Sequence, residues 1–263
     1  MDRAAWLTYT CVVPQTFVAR AVVAAVRALP GYPDLAVLDL SCGRGEIMHQ
    51  LATDGCRVRG THYRRDDYKL RDAPSALLAD LPIDADVDLL RPLPYAAGSY
   101  DVVLLTEVVE HLPTYIPVMH EVGRILKRGG HLVLSTPNVA RLHSRLHYFL
   151  TGTHKLIRRR LGWDIAPDDL YAFHIGPVDF PLLHAVLHQG GLQMERLVFT
   201  RFKLRHAWLL LLYPLFWLAT RVETRKGVRP GPRREGEDDL FRWMRHPAML
   251  ASEQLLLVAR KGV

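Results

Sequence analysis

An α/β fold with a largely parallel sheet is predicted for this chain, and three observations predict it. Short apolar runs alternate with segments of helical period, glycine-bearing turns separate them, and 263 residues at 49% hydrophobic and 23% charged content suffice for one sizeable core. Strands that alternate with helices require crossover connections, which lay the strands parallel.

The elements follow in order. An N-terminal helical segment spans residues 1–34: the apolar stretch Phe17 to Leu29 is interrupted by Arg20 and Arg27, which suits an amphipathic helix better than a cleaved signal or a membrane span. The main domain is assigned to residues 35–263. Ala36 to Leu40 reads as a buried strand, Glu46 to Thr53 as a helix, Arg57 to Gly60 as a second strand, Asp86 to Asp88 as a short third and Tyr100 to Thr106 as a fourth. Tyr115 to Lys127 places Ile116, Met119, Val122 and Leu126 on one helical face, Gly129-Gly130 stops it, and His131 to Thr136 forms a fifth strand. An irregular stretch follows, then a helix marked by Phe180, Leu183 and Leu187, and strands near Leu192 to Phe199 and Glu253 to Ala259. Insertions at about 139–178 and 200–250 form a cap.

The first strand runs into Ser41-Cys42-Gly43-Arg44-Gly45-Glu46. This turn has neither the G-x-G-x-x-G of a dinucleotide site nor the Gly-Lys-Ser/Thr ending of a phosphate loop, which disfavours a pyrophosphate ligand. Its glycines still allow a ligand to lie against the main chain at the carboxyl end of a strand that contains Asp39.

Four ordered segments, "VLDLSCGRGE", "DLLRPLPYAAGSYDVVLLTEVVEHL", "EVGRILKRGGHLVLSTPN" and "LLLVARK", resemble the class I S-adenosylmethionine-dependent methyltransferases from about Ala36 to Gly191 and at the closing strand. The resemblance implies a Rossmann-like three-layer sandwich, with a seven-stranded, mostly parallel sheet, an antiparallel last strand and helical cap insertions. It also implies S-adenosylmethionine across the carboxyl ends of the first strands. Asp39, Ser41, Gly43 and Gly45 would line the methionine and ribose, Asp88 and Leu89 would meet the adenine, and Thr106 with Glu107 would sit beside the methyl group. One position departs from the family. Where an acidic residue usually takes both ribose hydroxyls, this chain has His62, with Asp66 and Asp67 shortly after. An imidazole makes one good contact there where a carboxylate makes two.

Glu107-Val-Val-Glu110-His111 is a second cluster. On a helical turn Glu107, Glu110 and His111 share one face, forming a site for a hard cation or an acid/base group. The pattern, followed by His174, resembles the divalent-metal site of ubiquinone-type O-methyltransferases and small-RNA 2′-O-methyltransferases, which implies Mg2+ or another divalent cation on Glu107, Glu110, His111 and His174. The alternative is a histidine that only orders the helix start. A hydroxyl nucleophile needs a base such as His111 or His174, or a cation, so the cluster favours O-methylation, with His111, Glu107 and His174 as the catalytic candidates.

Charge is uneven: Arg141 to Gly162 carries +6, Arg201 to Arg234 carries +8, and the remainder is acidic within a net +7. Between the basic flanks of the second segment lies Ala207 to Ala219, thirteen uncharged residues with Trp208, Tyr213 and Trp217, too short to span a membrane and interrupted by Pro214. That combination suits an anionic membrane surface and a small-molecule or lipid-like acceptor, against a cap core or dimer contact as alternatives. A nucleic-acid substrate is disfavoured, because no RNA-binding module is visible and an apolar run has no role at a phosphate backbone. The rival functions are an RNA methyltransferase, separable by salt-titrated filter binding, and a non-catalytic cofactor-binding scaffold with a membrane-docking cap, in which His62 marks lost activity. Cys11, Cys42 and Cys56 form neither a disulfide framework nor a zinc spacing, which predicts a reducing, cytoplasmic location, and the apolar run with basic flanks adds a peripheral position at the membrane.

Overall fold

The computed structural model describes residues 15–63, 81–154, 174–226 and 232–262. Seven strands form one sheet: β1 (Ala36–Asp39), β2 (Arg57–Thr61), β3 (Ile83–Asp84), β4 (Tyr100–Thr106), β5 (Leu126–Pro137), β6 (Leu192–Val198) and β7 (Gln254–Lys261). Their spatial order is β3-β2-β1-β4-β5-β7-β6. The first five pair in parallel, and β7 enters antiparallel between β5 and β6. This is the three-layer, mostly parallel sheet that the sequence predicts.

Alternation along the strands makes the two cores. On one face Val103 and Leu105 of β4 and Leu255 and Leu257 of β7 pack with α3 (Ile116–Ile125) and α5 (Phe180–Gln189). On the other, Val102 and Leu104 of β4 and Leu256 and Val258 of β7 meet α1 (Gln15–Arg27) and α2 (Glu46–Thr53) through Val22, Val26, Met48 and Leu51. The N-terminal helix is thus a layer of the sandwich. Its apolar side closes the sheet, while Arg20 and Arg27 stay at the surface.

Four local expectations change. The third strand lies at Ile83–Asp84, because Asp86 takes a left-handed backbone (φ 62°) that an extended run cannot contain. In α3 the buried face is Val118, Met119, Val122 and Ile125, while Ile116 is exposed and Leu126 already belongs to β5. β5 starts at Leu126, and the turn at Gly129 (φ 74°) lies within it. The stretch after β5, expected to be irregular, begins with α4 (Leu142–Thr151), closed by Gly152 in left-handed conformation.

The cap comprises α4, 3₁₀ turns at Leu204–Leu212, α6 (Tyr213–Arg225), α7 (Pro232–Met244) and α8 (Pro247–Ala251). Pro214 sits at the start of α6, so the uncharged run breaks where its proline predicts. A small third core of Leu142, Leu209 and Leu250, with Leu146, Leu212, Tyr213 and Phe216 against it, ties α4, the 3₁₀ turns and α8 together. Within Ala207 to Ala219 only Leu209 is buried; Leu211 is 82% exposed and Leu215 64%. The cap core thus takes up Leu209 and part of Leu212, Tyr213 and Phe216, and leaves Leu211 and Leu215 largely exposed.

Candidate active site at the carboxyl edge of the sheet

β1 ends at Asp39 between β2 and β4, and the chain turns away through Ser41 (φ 65°), Gly43 (φ 58°) and Gly45 (φ 74°). Three left-handed residues at alternate positions make a sharp loop whose amides are held from below. Ser41 N donates to Thr61 Oγ1 (2.9 Å), Cys42 N to the Thr61 carbonyl (3.1 Å) and Gly45 N to the Cys42 carbonyl (3.0 Å). A β-carbon added to Gly43 would meet nothing within 4 Å, so the loop faces open space there.

Asp39 is buried, and its Oδ1 has no hydrogen-bond partner among the described residues. Burial pushes its carboxyl up to about 7, with the nearby His62 pulling modestly the other way. Thr106 Oγ1 at the end of β4 and Oε1 of Gln254 at the start of β7 are likewise buried without a hydrogen bond. Buried polar atoms left unsatisfied are costly and uncommon in folded proteins. Here three of them occur on strands β1, β4 and β7 at one edge of the sheet, beside a loop with room for a ligand.

His62, where the resemblance expects the ribose carboxylate, commits one ring nitrogen to the protein itself. It is buried, and its Nε2 donates to the Gly43 carbonyl (3.0 Å), so it braces the turn. The aspartates considered in its place, Asp66 and Asp67, lie outside the described residues, as do Lys155 to Arg160 of the first basic insertion, Arg229 of the second, and Cys11. Leu89 has its side chain in the core, and Asp88 Oδ1 accepts from the Leu90 amide (2.9 Å) with Arg91 3.4 Å away.

Glu107 departs most from expectation. Its backbone is left-handed (φ 53°) and lies outside the 3₁₀ turn Val109–His111, so Glu107, Glu110 and His111 do not share a helical face. Its carboxylate turns to the sheet, accepting from Ser135 Oγ (2.9 Å) and Gln254 Nε2 (2.9 Å). Although Glu107 keeps part of its surface exposed, desolvation around its carboxyl pushes it up to about 7, against the Ser135 hydrogen bond. Non-glycine residues forced into this backbone region carry strain that a fold retains chiefly at working sites. Ser41 and Glu107 are two such residues, one after β1 and one after β4.

Glu110, His111 and His174 do come together: one donor atom from each lies within 4.8 Å of the others. The two imidazoles meet edge to face with centroids 4.7 Å apart. Glu110 is buried and accepts from Thr136 Oγ1 (2.9 Å), while its carbonyl accepts from the amides of Ile175 (3.0 Å) and Gly176 (3.2 Å). Those amides bring His174 beside His111, 63 residues away in sequence. One carboxylate and two imidazoles are a donor set that suits a divalent cation, around which donors at about 2.1 Å stand some 3–4 Å from one another. Glu107 is not part of it.

Gln254, Ser135, Thr136 and Thr61 organise this site and are not singled out by sequence motifs. A polar pair ending the apolar "LVLST" of β5 and a glutamine opening the apolar β7 were the available signals.

Residues 38–134 match the family model described as "Methyltransferase domain". Over those residues the chain is similar to a methyltransferase domain, and its sheet order is that of a Rossmann-like sandwich. Among curated relatives, a ubiquinone biosynthesis O-methyltransferase from Xanthomonas campestris pv. campestris (strain B100) is 34% identical over 119 residues, covering 44% of this chain and 47% of the relative. This chain therefore spans about half the length of the curated relative it matches. A solved S-adenosylmethionine-dependent methyltransferase from Archaeoglobus fulgidus superposes with a TM-score of 0.52 at 16% identity, covering 96% of this chain and all of that one. The cyclase SpnF superposes equally well (TM-score 0.52, 17% identity, 93% and 82% covered). A fold shared by a methyltransferase and a cyclase shows the architecture, and the reaction must be argued from side chains.

Proposed function

We propose that this chain transfers the methyl group of S-adenosylmethionine to a hydroxyl of a lipophilic acceptor presented at an anionic membrane surface. The observation that carries the cofactor half is the set of unsatisfied buried atoms, Asp39 Oδ1 above all, beside the open Gly43 loop within the matched segment. The cofactor supplies a methyl group on a sulfonium, already a good leaving group. The protein's task is alignment, and holding two reactants in line is worth about 7–11 kcal/mol. Asp39 offers a carboxylate to the cationic methionine end, and Thr106 with Glu107 stands where β4 ends.

Oxygen is favoured over nitrogen as the nucleophile because a hydroxyl must lose a proton. The candidate bases are His111 and His174, whose ring centroids are 4.7 Å apart. A divalent cation on Glu110, His111 and His174 would instead lower the hydroxyl's pKa. A lipophilic acceptor at a membrane is supported by the cap, where Leu204, Trp208, Leu211, Leu215, Leu218 and Val222 are exposed between basic flanks. Each basic residue near an anionic surface adds about 1 kcal/mol, so apolar and basic parts together give salt-sensitive association. No helix among the described residues is long and apolar enough to cross a membrane.

Calorimetric titration with S-adenosylhomocysteine is the deciding test. Binding in the micromolar range is expected, with Asp39→Asn weaker, and no heat from wild type would overturn the reading. For the cation, turnover with excess chelator should fall and return with Mg2+ or Mn2+. Undiminished turnover leaves the two histidines as bases alone.

A further inference from the structure

Between the cap and the sheet edge the chain makes its last helix, α8, and it starts that helix with a histidine. His246 precedes Pro247 with extended backbone (φ −62°, ψ 139°), and its Nδ1 accepts from the Ala248 amide (3.2 Å). Its carbonyl accepts from the Leu250 amide (3.1 Å). His246 is therefore the N-cap of α8. That position is usually filled by Ser, Thr, Asp or Asn, whose oxygens accept at any pH near neutrality. An imidazole accepts there only while Nδ1 carries no proton.

α8 is short, yet it joins the cap to the sheet. Met249 belongs to the core on one face of the sheet, and Leu250 to the small cap core with Leu142 and Leu209. Asn138, just after β5, donates to the carbonyls of Met249 (2.7 Å) and Ser252 (3.1 Å). Glu253 and Gln254 follow at once, and the Gln254 amide holds Glu107.

The elements packed against α8 are α7, α4 and β6. Their described charged groups are engaged elsewhere. On α7, Asp239 takes His184 and Arg242, Asp238 takes Arg221 and Arg225, and Glu235 and Glu237 lie in the first half of the helix. Arg245, next to His246, lies over the Phe241 ring (5.6 Å). On α4, Arg145 donates to the Ala140 carbonyl (2.6 Å), Arg141 stands 3.9 Å from Glu253, His143 stacks on His206, and His147 bonds to the Thr153 carbonyl (2.9 Å). On β6, Glu195 meets His131 and Arg260, and Arg196 donates to the Ala25 carbonyl (3.3 Å). Burial holds the His246 imidazole below the usual histidine value, and the amides at the start of α8 disfavour a cation there as well.

We propose that His246 makes α8 a pH-sensitive clasp: the neutral ring caps the helix, and protonation at Nδ1 removes the cap and loosens the join between α8 and the start of β7. The clasp stands apart from the methyl-transfer reading. Because the folded value lies below the unfolded one, about 6.5, the stability it contributes is complete above that value and is lost as pH falls. Asp39 and Glu107 act on global stability in the opposite sense, and a charged His184 would tighten its contact with Asp239. The readout must therefore be local.

Amide hydrogen exchange of the intact chain, corrected for the intrinsic pH dependence of exchange, is compared at pH 7.5 and 5.0 in wild type, His246→Asn and His246→Ala. Wild type should lose about fivefold or more of its protection over residues 248–254 at pH 5.0, the factor that a missing N-cap of ordinary strength gives, while residues 102–105 of β4 keep theirs. His246→Asn retains an acceptor and does not titrate, so its protection should stay within about twofold between the two pH values. His246→Ala should be poorly protected at both. Equal losses in wild type and His246→Asn, no loss in wild type, or a loss that extends equally to β4 overturns the inference. Should the variants fail to fold, nitrogen-15 NMR of the wild-type histidine side chains decides. Nδ1 of His246 bare at pH 7.5 and protonated by pH 5.0 supports the clasp, and any other state of Nδ1 overturns it.

Discussion

The loop after β1 and the cap run from Leu204 to Arg225 are both unusual for their surroundings, in opposite ways. The loop places polar atoms where water cannot reach them: Asp39 Oδ1 and Thr106 Oγ1 are buried without partners. The cap leaves apolar side chains largely uncovered by the described residues, Leu204 and Leu211 each being 82% exposed. Each is unfavourable for the isolated chain, and each is relieved by a different kind of partner. An unsatisfied carboxyl in a low-dielectric edge calls for a small cationic or hydrogen-bonding ligand. An exposed apolar face between basic residues calls for a surface that is itself apolar and anionic. On the proposed reading, binding chemistry is divided within the molecule, the cofactor falling to the sheet edge and the acceptor's environment to the cap.

The largest effect expected from breaking that division is at Gly45. Its backbone φ of 74° at the start of α2 is strained for any β-branched side chain, so Gly45→Val should reshape the loop and weaken S-adenosylhomocysteine by about a hundredfold or more. Vesicle binding should survive, since the cap lies elsewhere. If cofactor affinity is unchanged and the melting curve is unchanged, the loop is not the binding site. The converse variant, Leu211→Asp with Leu215→Asp, should reduce pelleting with anionic vesicles by about tenfold or more at low salt while leaving cofactor affinity within twofold, because both side chains are largely exposed. Loss of folding in this pair would mean that the leucines are covered in the native assembly.

A smaller effect is expected on pH dependence. The Asp39 and Glu107 carboxyls are raised to about 7 by burial, so between about pH 4 and pH 7 the folded chain holds protons that the unfolded chain has already released. Without ligand, stability should therefore fall as pH rises through this window, and Asp39→Asn should flatten the decline in thermal melts from pH 5 to 7.5. A ligand with a cationic amino group favours the ionised Asp39, so binding near pH 6 should release a proton, visible as a dependence of the calorimetric enthalpy on buffer ionisation. An enthalpy independent of buffer would remove Asp39 from the ligand's charged end.

The elements nearest the cofactor loop were the most legible in the sequence. β4 occupies the predicted residues, and α2 begins and ends where the glycines and Gly55 punctuate the chain. Local chemistry is dense there: a continuous apolar run is a buried strand and a left-handed turn needs glycine, so period and turn residues agree. The Glu107 cluster was legible in composition and not in geometry. The spacing of Glu107, Glu110 and His111 suggests one face only if the backbone is helical, and the left-handed φ at Glu107 breaks that condition. His62 sits at the expected strand end, but its hydrogen bond to Gly43 depends on two strand ends meeting.

By itself the sequence determined the alternation of strands and helices, the loop after β1, the basic and apolar composition of the cap, and the candidacy of His174. These depend on neighbours within a few residues or on the order of motifs. Only the tertiary structure decided that Glu107 answers to Ser135 and Gln254, that His174 reaches Glu110 and His111, and that Glu253 gathers Arg141, Arg201 and Lys203. Each joins residues that sequence separates by tens of positions, and the sheet register that brings their strands edge to edge is set by burial summed over the whole core, which no local pattern encodes.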